Sequence, residues 1–234
     1  MPVNTITPAG DSASAALHKT GSDWTTVIGA ASAASVADLG TTDGMFQCRL
    51  NSGTFTNRRG YMYFDLAASG IPKKAQFIKL KRARLKLTFS SVGGTQANGK
   101  KFRIYAMNPT SAGFNPHVDD YNNYLSTVFS DTFEATAAEE LTFEITNSRL
   151  LRWLERKIRK RSELHLMVRG YNDVGDVDPT GNNRALYRSS TYGTASERPK
   201  LVIQYTVDGS RKAAGGGFAV GDVVSASRNG FGRF

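Results

Sequence analysis

From residue 43 to residue 207, apolar and polar positions alternate with a period of two in segment after segment, the pattern of strands that turn one face inward. In "MFQCRL" the inward set is Phe46, Cys48 and Leu50, and in "YMYFDL" it is Met62, Phe64 and Leu66. "KFRIYAM" offers Phe102, Ile104 and Ala106, and "LTFEIT" offers Leu141, Phe143 and Ile145. "ELHLMV" and "KLVIQYT" continue with Leu164, Leu166 and Val168, then Leu201, Ile203 and Tyr205. Turn-forming clusters such as "SVGGTQANGK" and "DVDPTGNN" separate them, supplying backbone angles that other residues resist.

Two segments modify this picture. In "FIKLKRARLKLTFS" the apolar positions are even at Ile78 and Leu80 but odd at Leu85, Leu87 and Phe89. Since a one-residue slip reverses the faces of a strand, a bulge or break is expected near Lys81 and Arg82. Lys79, Lys81, Arg82, Arg84 and Lys86 then form either the solvated side of this strand or a surface that grips a polyanion. In "TNSRLLRWLERKIRKRSE" the period changes to that of a helix, with Leu150, Leu151, Leu154 and Ile158 on one stripe and Trp153 at its margin. Asn147 or Ser148 is placed to cap its first turn, and cations gather where the helix dipole favours them.

Composition sets the frame: 234 residues, 40% hydrophobic and 21% charged, describe one soluble domain with appendages. Cys48 is the only cysteine, so no intrachain disulfide forms, and its position in the alternation makes it a small buried hydrophobe. No run approaches the length needed to cross a bilayer, and the first residues do not read as an export signal, so synthesis in a cytosol without membrane association is expected. The net charge of +10 is local: residues 73–86 carry +7 and residues 149–161 carry +6, which leaves the remainder at −3. Basic surfaces of this kind steer acidic partners of any class.

Candidate chemistry is sparse. His18, His117 and His165 are scattered, and His165 lies in a strand opposite its leucine neighbours. Asp119 and Asp120 in "HVDDY" read as a polar loop before they read as an acid or metal pair, and Asp173, Asp176 and Asp178 offer a calcium loop that competes with an ordinary turn. No cofactor or metal is expected. Tyr61, Tyr63, Tyr105, Tyr121, Tyr124 and Tyr192 are candidates for stacking on sugars or for cross-strand pairs. Between Lys79 and Lys86 no aromatic interrupts the cations, so nucleic acid is not the expected partner.

The ends of the chain differ from its middle. Residues 1–42, rich in Ala, Ser, Thr and Gly, read as an N-terminal arm or a first strand. Residues 208–234 form a Gly-rich C-terminal arm whose Phe218, Phe231, Arg233 and Phe234 read as spaced anchors for a neighbouring subunit, alongside Arg82, Arg84 and Lys86.

Three stretches in order, "RRGYMYFDLAASGIPKKAQFIKLKRARLKLTF", "LTFEITNSRLLRWLERK" and "LYRSSTYGTASERPKLVIQYT", resemble the DNRLRE-type domain. That domain is a jelly-roll β-sandwich related to carbohydrate-binding modules and found in wall-associated and bacteriophage structural proteins. The resemblance runs from about Arg58 to Thr206. It implies an all-β, jelly-roll-like β-sandwich over residues 43–207 with one amphipathic helix and extended terminal arms. It further implies a non-enzymatic virion protein of a tailed bacteriophage, assembled in the host cytoplasm, that decorates or stabilises the head or joins the tail. Its partners would be capsid or tail subunits in a multimeric assembly. The alternatives are a module that recognises host surface glycans and a nucleic-acid-associated capsid protein.

Overall fold

The computed structural model describes residues 3–6, 14–37, 43–67, 71, 78–96, 98, 100–110, 116–128, 133–135, 139–145, 147–189 and 192–207. In chain order its strands are β1 (Val3–Ile6), β2 (Ser14–Gly21), β3 (Ser35–Ala37), β4 (Asp43–Asn51), β5 (Thr54–Asp65), β6 (Ile78–Gly93) and β7 (Lys101–Met107). They continue with β8 (Tyr124–Val128), β9 (Phe133–Glu134), β10 (Glu140–Ile145), β11 (Glu163–Gly170), β12 (Asn182–Arg188) and β13 (Lys200–Val207). Among the described residues the α-helices are α1 (Trp24–Gly29), α2 (Ser148–Arg159) and α3 (Tyr171–Gly175), of which α2 alone exceeds two turns.

Every strand pairing among the described residues is antiparallel, and the strands curl into an all-β, jelly-roll-like sandwich. One layer runs β1-β13-β6-β10. The far end of β6 turns into the second layer, where residues 89–93 run beside β12, and the order continues β12-β4-β5-β11-β7-β8. β2 lies along the other edge of β5 and carries β3. Residues 1–42, read from sequence as an N-terminal arm or first strand, supply β1, β2, β3 and α1 among their described residues. β2 is joined to β5 from Ser14 opposite Met62 to Gly21 opposite Phe55.

Two glycines make this curvature possible. Ser52 and Gly53 both adopt positive φ, 47° and 76°, and close the β4–β5 hairpin with the two-residue turn that suits strand twist. At Gly60, β5 leaves β4 and takes β11 as its partner. A Cβ there would strike the Tyr187 hydroxyl and come within 2.9 Å of the Met45 carbonyl.

Most of the inward sets read from the alternation form the main core; Leu50 is only half-buried, and Cys48 packs in a separate cluster. Phe46, Met62, Phe64, Phe102, Ile104, Phe143, Leu164, Leu166, Val168, Leu201 and Ile203 are all buried in one cluster, with Phe133 and Phe143 packed edge to face at 4.4 Å. The phase change in β6 is a bulge. Gln204 faces Arg82 while Tyr205 faces Leu80, so Lys81 is the extra residue, and Ile78, Leu80, Ala83, Leu85, Leu87 and Phe89 are all buried.

α2 forms where its caps and stripe dictate. The Asn147 side-chain oxygen accepts from the backbone N–H of Arg149 at 2.9 Å and of Leu150 at 3.2 Å. Arg161, with φ of 51°, ends the helix as Ser162 N–H returns to the Lys157 carbonyl and Arg161 N–H to that of Ile158. Leu150, Leu154 and Ile158 enter the core, worth roughly 5–9 kcal/mol together as an upper figure. β10 stops opposite Ala83, and beyond that point the helix serves the edge of β6. Glu155 accepts from Leu80 N–H at 3.2 Å, and Arg159 donates to the Ile78 carbonyl at 2.7 Å.

Deleting Lys81 would force Ile78 and Leu80 onto the wet face. The expected loss is about 3–6 kcal/mol, read as a large fall in thermal midpoint. Lys81→Ala keeps the extra residue and should leave the midpoint within about 2 °C.

Candidate binding surfaces and the buried ion cluster

The bulged strand carries its cations outward, between two rows of other side chains. Arg84 lies between Glu144 on β10 and Val202 on β13, and Lys86 between Thr142 and Lys200. Arg82 makes a two-point bond to Glu144, Arg84 approaches the same carboxylate at 3.9 Å, and Lys86 reaches Glu140 at 2.5 Å. The hydrogen bond from Arg82 holds the Glu144 carboxyl below the usual range. Arg82 and Arg84, with Val202 and Gln204, line a shallow open hollow. The candidate residues Arg82, Arg84 and Lys86 therefore share one solvent-facing row, and β10 supplies each with an acid. Exposed pairs of this kind are worth about 0–1 kcal/mol each, so their charge stays available at the cost of exchanging partners. Phe218, Phe231, Arg233 and Phe234 lie outside the described residues.

α2 presents a second basic surface. Arg149, Arg152, Arg156 and Lys160 are exposed, whereas its acid, Glu155, is turned toward β6 and Arg159. Trp153 is half-buried at the shoulder, with the Lys157 ammonium 5.5 Å from its ring centre.

The other face of β5 and β11 is buried as well. Consecutive strand residues point to opposite sides, so Tyr61, Tyr63 and Met167 back onto the core side chains Met62, Phe64 and Leu166. They form a second cluster with Leu17, Ala33, Met107 and Tyr121, contributed by the N-terminal segment, β7 and the 3-10 turn Val118–Asn122. A third cluster packs Trp24 and Val27 of α1 against Cys48. Asp23 starts α1 by accepting from Thr26 N–H at 2.7 Å. Burial pushes the Cys48 thiol far up, which agrees with its reading as a small hydrophobe.

Within this second layer lies a charged cluster. Arg59 on β5 is fully buried, and its five N–H groups all have acceptors. Nε donates to Asp173 Oδ2 at 2.7 Å, and one terminal nitrogen to Asp173 Oδ1 at 2.6 Å and the Ile28 carbonyl at 2.8 Å. The other donates to the Tyr121 carbonyl at 2.5 Å and Asn122 Oδ1 at 2.6 Å. Arg169 on β11 grips the same carboxylate at 3.0 and 2.9 Å. The rings of Tyr121 and Tyr124 lie over the two guanidiniums at 4.0 and 4.2 Å. Burial alone would raise the Asp173 carboxyl, but Arg59 and Arg169 reverse this and hold it well below the carboxylate range.

This accounts for several residues weighed as chemistry. Asp173 is consumed by two arginines, and Asp176 ends α3 in a left-handed conformation, accepting from the Thr25 hydroxyl at 3.2 Å. No cluster of three or more potential metal ligands occurs among the described residues. Asp120 is buried and accepts from Thr110 N–H, the Thr110 hydroxyl and His117 N–H, so "HVDDY" is a capped turn. His165 accepts from the Tyr61 hydroxyl at Nδ1, 2.5 Å away, and donates from Nε2 to Glu163 at 3.1 Å, roles that the neutral ring fills. Of the tyrosines considered as a sugar platform, Tyr61, Tyr63, Tyr105 and Tyr121 are buried, Tyr124 stacks on Arg169, and Tyr192 stacks on Arg188 at 3.9 Å.

The Arg59 cluster was not foreseen, because arginine in an alternating strand reads as a wet position. The available signal was Arg169, which shares a strand face with His165 and Met167 and stands four residues before Asp173. Compared with known proteins, the sequence matches no family model, and no curated protein matches it closely enough to count as a relative. None of the described helices is long and apolar enough to cross a membrane.

Asp173→Ala would leave two guanidiniums buried without their carboxylate and should cost about 3–5 kcal/mol in denaturant titrations. Arg59→Lys, with three donors for five acceptors, should cost at least about 2 kcal/mol. The pH dependence has a defined sign. Burial lowers the His165 pKa against the opposing pull of Glu163, so its contribution is present above about pH 6.5 and fades as acid protonates the ring. Asp173, also lowered, contributes above about pH 4 and is lost in stronger acid. Imidazole NMR should show His165 titrating below free histidine, and urea midpoints should fall as pH drops through both windows.

Proposed function

We propose that this chain is a non-enzymatic structural protein of a tailed-bacteriophage particle, which decorates or stabilises the head or joins the tail through contacts with neighbouring particle proteins. One observation carries the reading: buried Asp173, His165 and Asp120 are each answered by other groups of the chain, while charge for outside partners is set in rows on rigid elements. Asp173 answers Arg59 and Arg169, His165 answers Tyr61 and Glu163, and Asp120 answers Thr110 and His117. Outward, β6 and α2 present cations on backbone that is already ordered, the arrangement that gives orientation and rate to docking.

The DNRLRE-type resemblance supplies the particle context, and the jelly-roll-like fold agrees with it. β13 delivers residue 207 to the end of the sheet where β1 starts, since Val3 faces Gln204. The Gly-rich residues 208–234, with Phe218, Phe231 and Phe234 as anchors and Arg233 beside them, would reach a neighbouring subunit from that corner. Repetition of such contacts around a symmetric particle supplies avidity.

An antibody against the recombinant protein, applied to gradient-purified particles and to the soluble fraction of the source, tests the assignment. The protein should sediment with intact particles, and truncation after Val207 should reduce its incorporation. Recovery only in the soluble fraction would overturn the reading.

A further inference from the structure

The sequence directs attention to β6, but the larger uncompensated charge lies on α2. We propose that the outward stripe of α2 formed by Arg149, Arg152, Arg156 and Lys160 is the docking surface for an acidic segment of a partner polypeptide, an inference that rests on the adhesive reading above and names its surface.

At about 100° per residue these four side chains fall within roughly 80° of the helix circumference, in a row about 16 Å long. All four are exposed, and none of the ion pairs among the described residues uses them. On β6, by contrast, Arg82, Arg84 and Lys86 already have Glu144 and Glu140. A partner binding the strand must displace those carboxylates, whereas a partner binding the helix displaces only water and counterions.

The row is also firmly backed. Leu150, Leu154 and Ile158 lock the opposite face into the core, and Asn147 and the turn at Arg161 close both ends, so docking orders no backbone. Arginine forks match carboxylates at two points, and half-buried Trp153 adds apolar surface beside them, a combination common where binding energy concentrates.

The surroundings select a narrow partner. Glu140 and Glu144 stand exposed on β10, the strand that leads into the helix. A duplex would spread its phosphates over those acids as well as over the stripe. A single acidic helix or extended segment meets the cations alone.

Fluorescence anisotropy with a labelled peptide of about ten glutamates, at about 50 mM salt, tests this. The full-length protein should bind, and Arg152→Gln/Arg156→Gln should weaken binding at least about tenfold with an unchanged thermal midpoint. The control Arg82→Gln/Arg84→Gln should weaken it less than about threefold. No binding by the wild type, an equal or larger effect of the β6 variant, or tighter binding of a random-sequence duplex at the same salt would overturn the proposal. Failure to sediment with particles would remove the virion assignment but leave a positive anisotropy result standing, so the two failures are distinguishable.

Discussion

Asp173 is a single carboxylate shared by two guanidiniums in the interior of the second layer, and the arrangement of that layer depends on it. Arg59 comes from β5, Arg169 from β11 and Asp173 from α3, while the remaining acceptors come from the 3-10 turn at residues 118–122 and from the end of α1. Five segments are therefore positioned by one set of hydrogen bonds. The cluster carries one positive charge in excess, which carbonyl dipoles and the faces of Tyr121 and Tyr124 offset. Desolvating three ions is costly enough that such a cluster adds little net stability over well-packed hydrophobes. Its effect is geometric, since only one placement of the covering segments supplies all five acceptors to Arg59.

This cover explains why one layer keeps a wet face while β5 and β11, in the other, are buried on both. β6, β10 and β13 keep a solvated face, which their sequences show as alternation, charged on β6 and mixed on β10 and β13. β5 and β11 have no such face, because α1, residues 30–33 after it and the 118–122 turn lie across it, with Leu17 of the adjoining β2 beside them. Tyrosine, histidine and arginine serve there as amphipathic filling, with apolar bodies packed and polar ends bonded to one another.

The legible part of the fold follows from the same contrast. Leu85, Leu87 and Phe89 stand out against Arg84 and Lys86, so the strand and its bulge could be read from period and phase alone. The helical stripe of α2 and its Asn147 cap were equally plain, because one segment contains the whole signal. Arg59, Tyr61 and Arg169 gave no such contrast. Their burial depends on residues more than a hundred positions away for the Arg59–Asp173 pair, and on N-terminal stretches whose small side chains look like a loose arm. Asp173 read as a metal candidate because Arg59 comes from a distant strand and Arg169, four residues before it, looked like a wet strand position. Residues 208–234 lie outside the described structure and keep only their sequence reading.

Where β10 ends, the edge of β6 would offer its backbone groups to any passing strand. α2 prevents this with Glu155 on Leu80 N–H and Arg159 on the Ile78 carbonyl. That use of Glu155 has a consequence for charge. The helix needs an acid to guard the strand, and the acid points toward the sheet, so the outward row keeps its cations without a local counter-charge. On β6 cross-strand neighbours on β10 stand close enough to offset part of the row, with Glu144 shared by Arg82 and Arg84 and Glu140 beside Lys86. The same run of basic residues thus does different work according to its secondary structure. In the strand it keeps a sheet face wet, and in the helix it leaves a field directed at solvent.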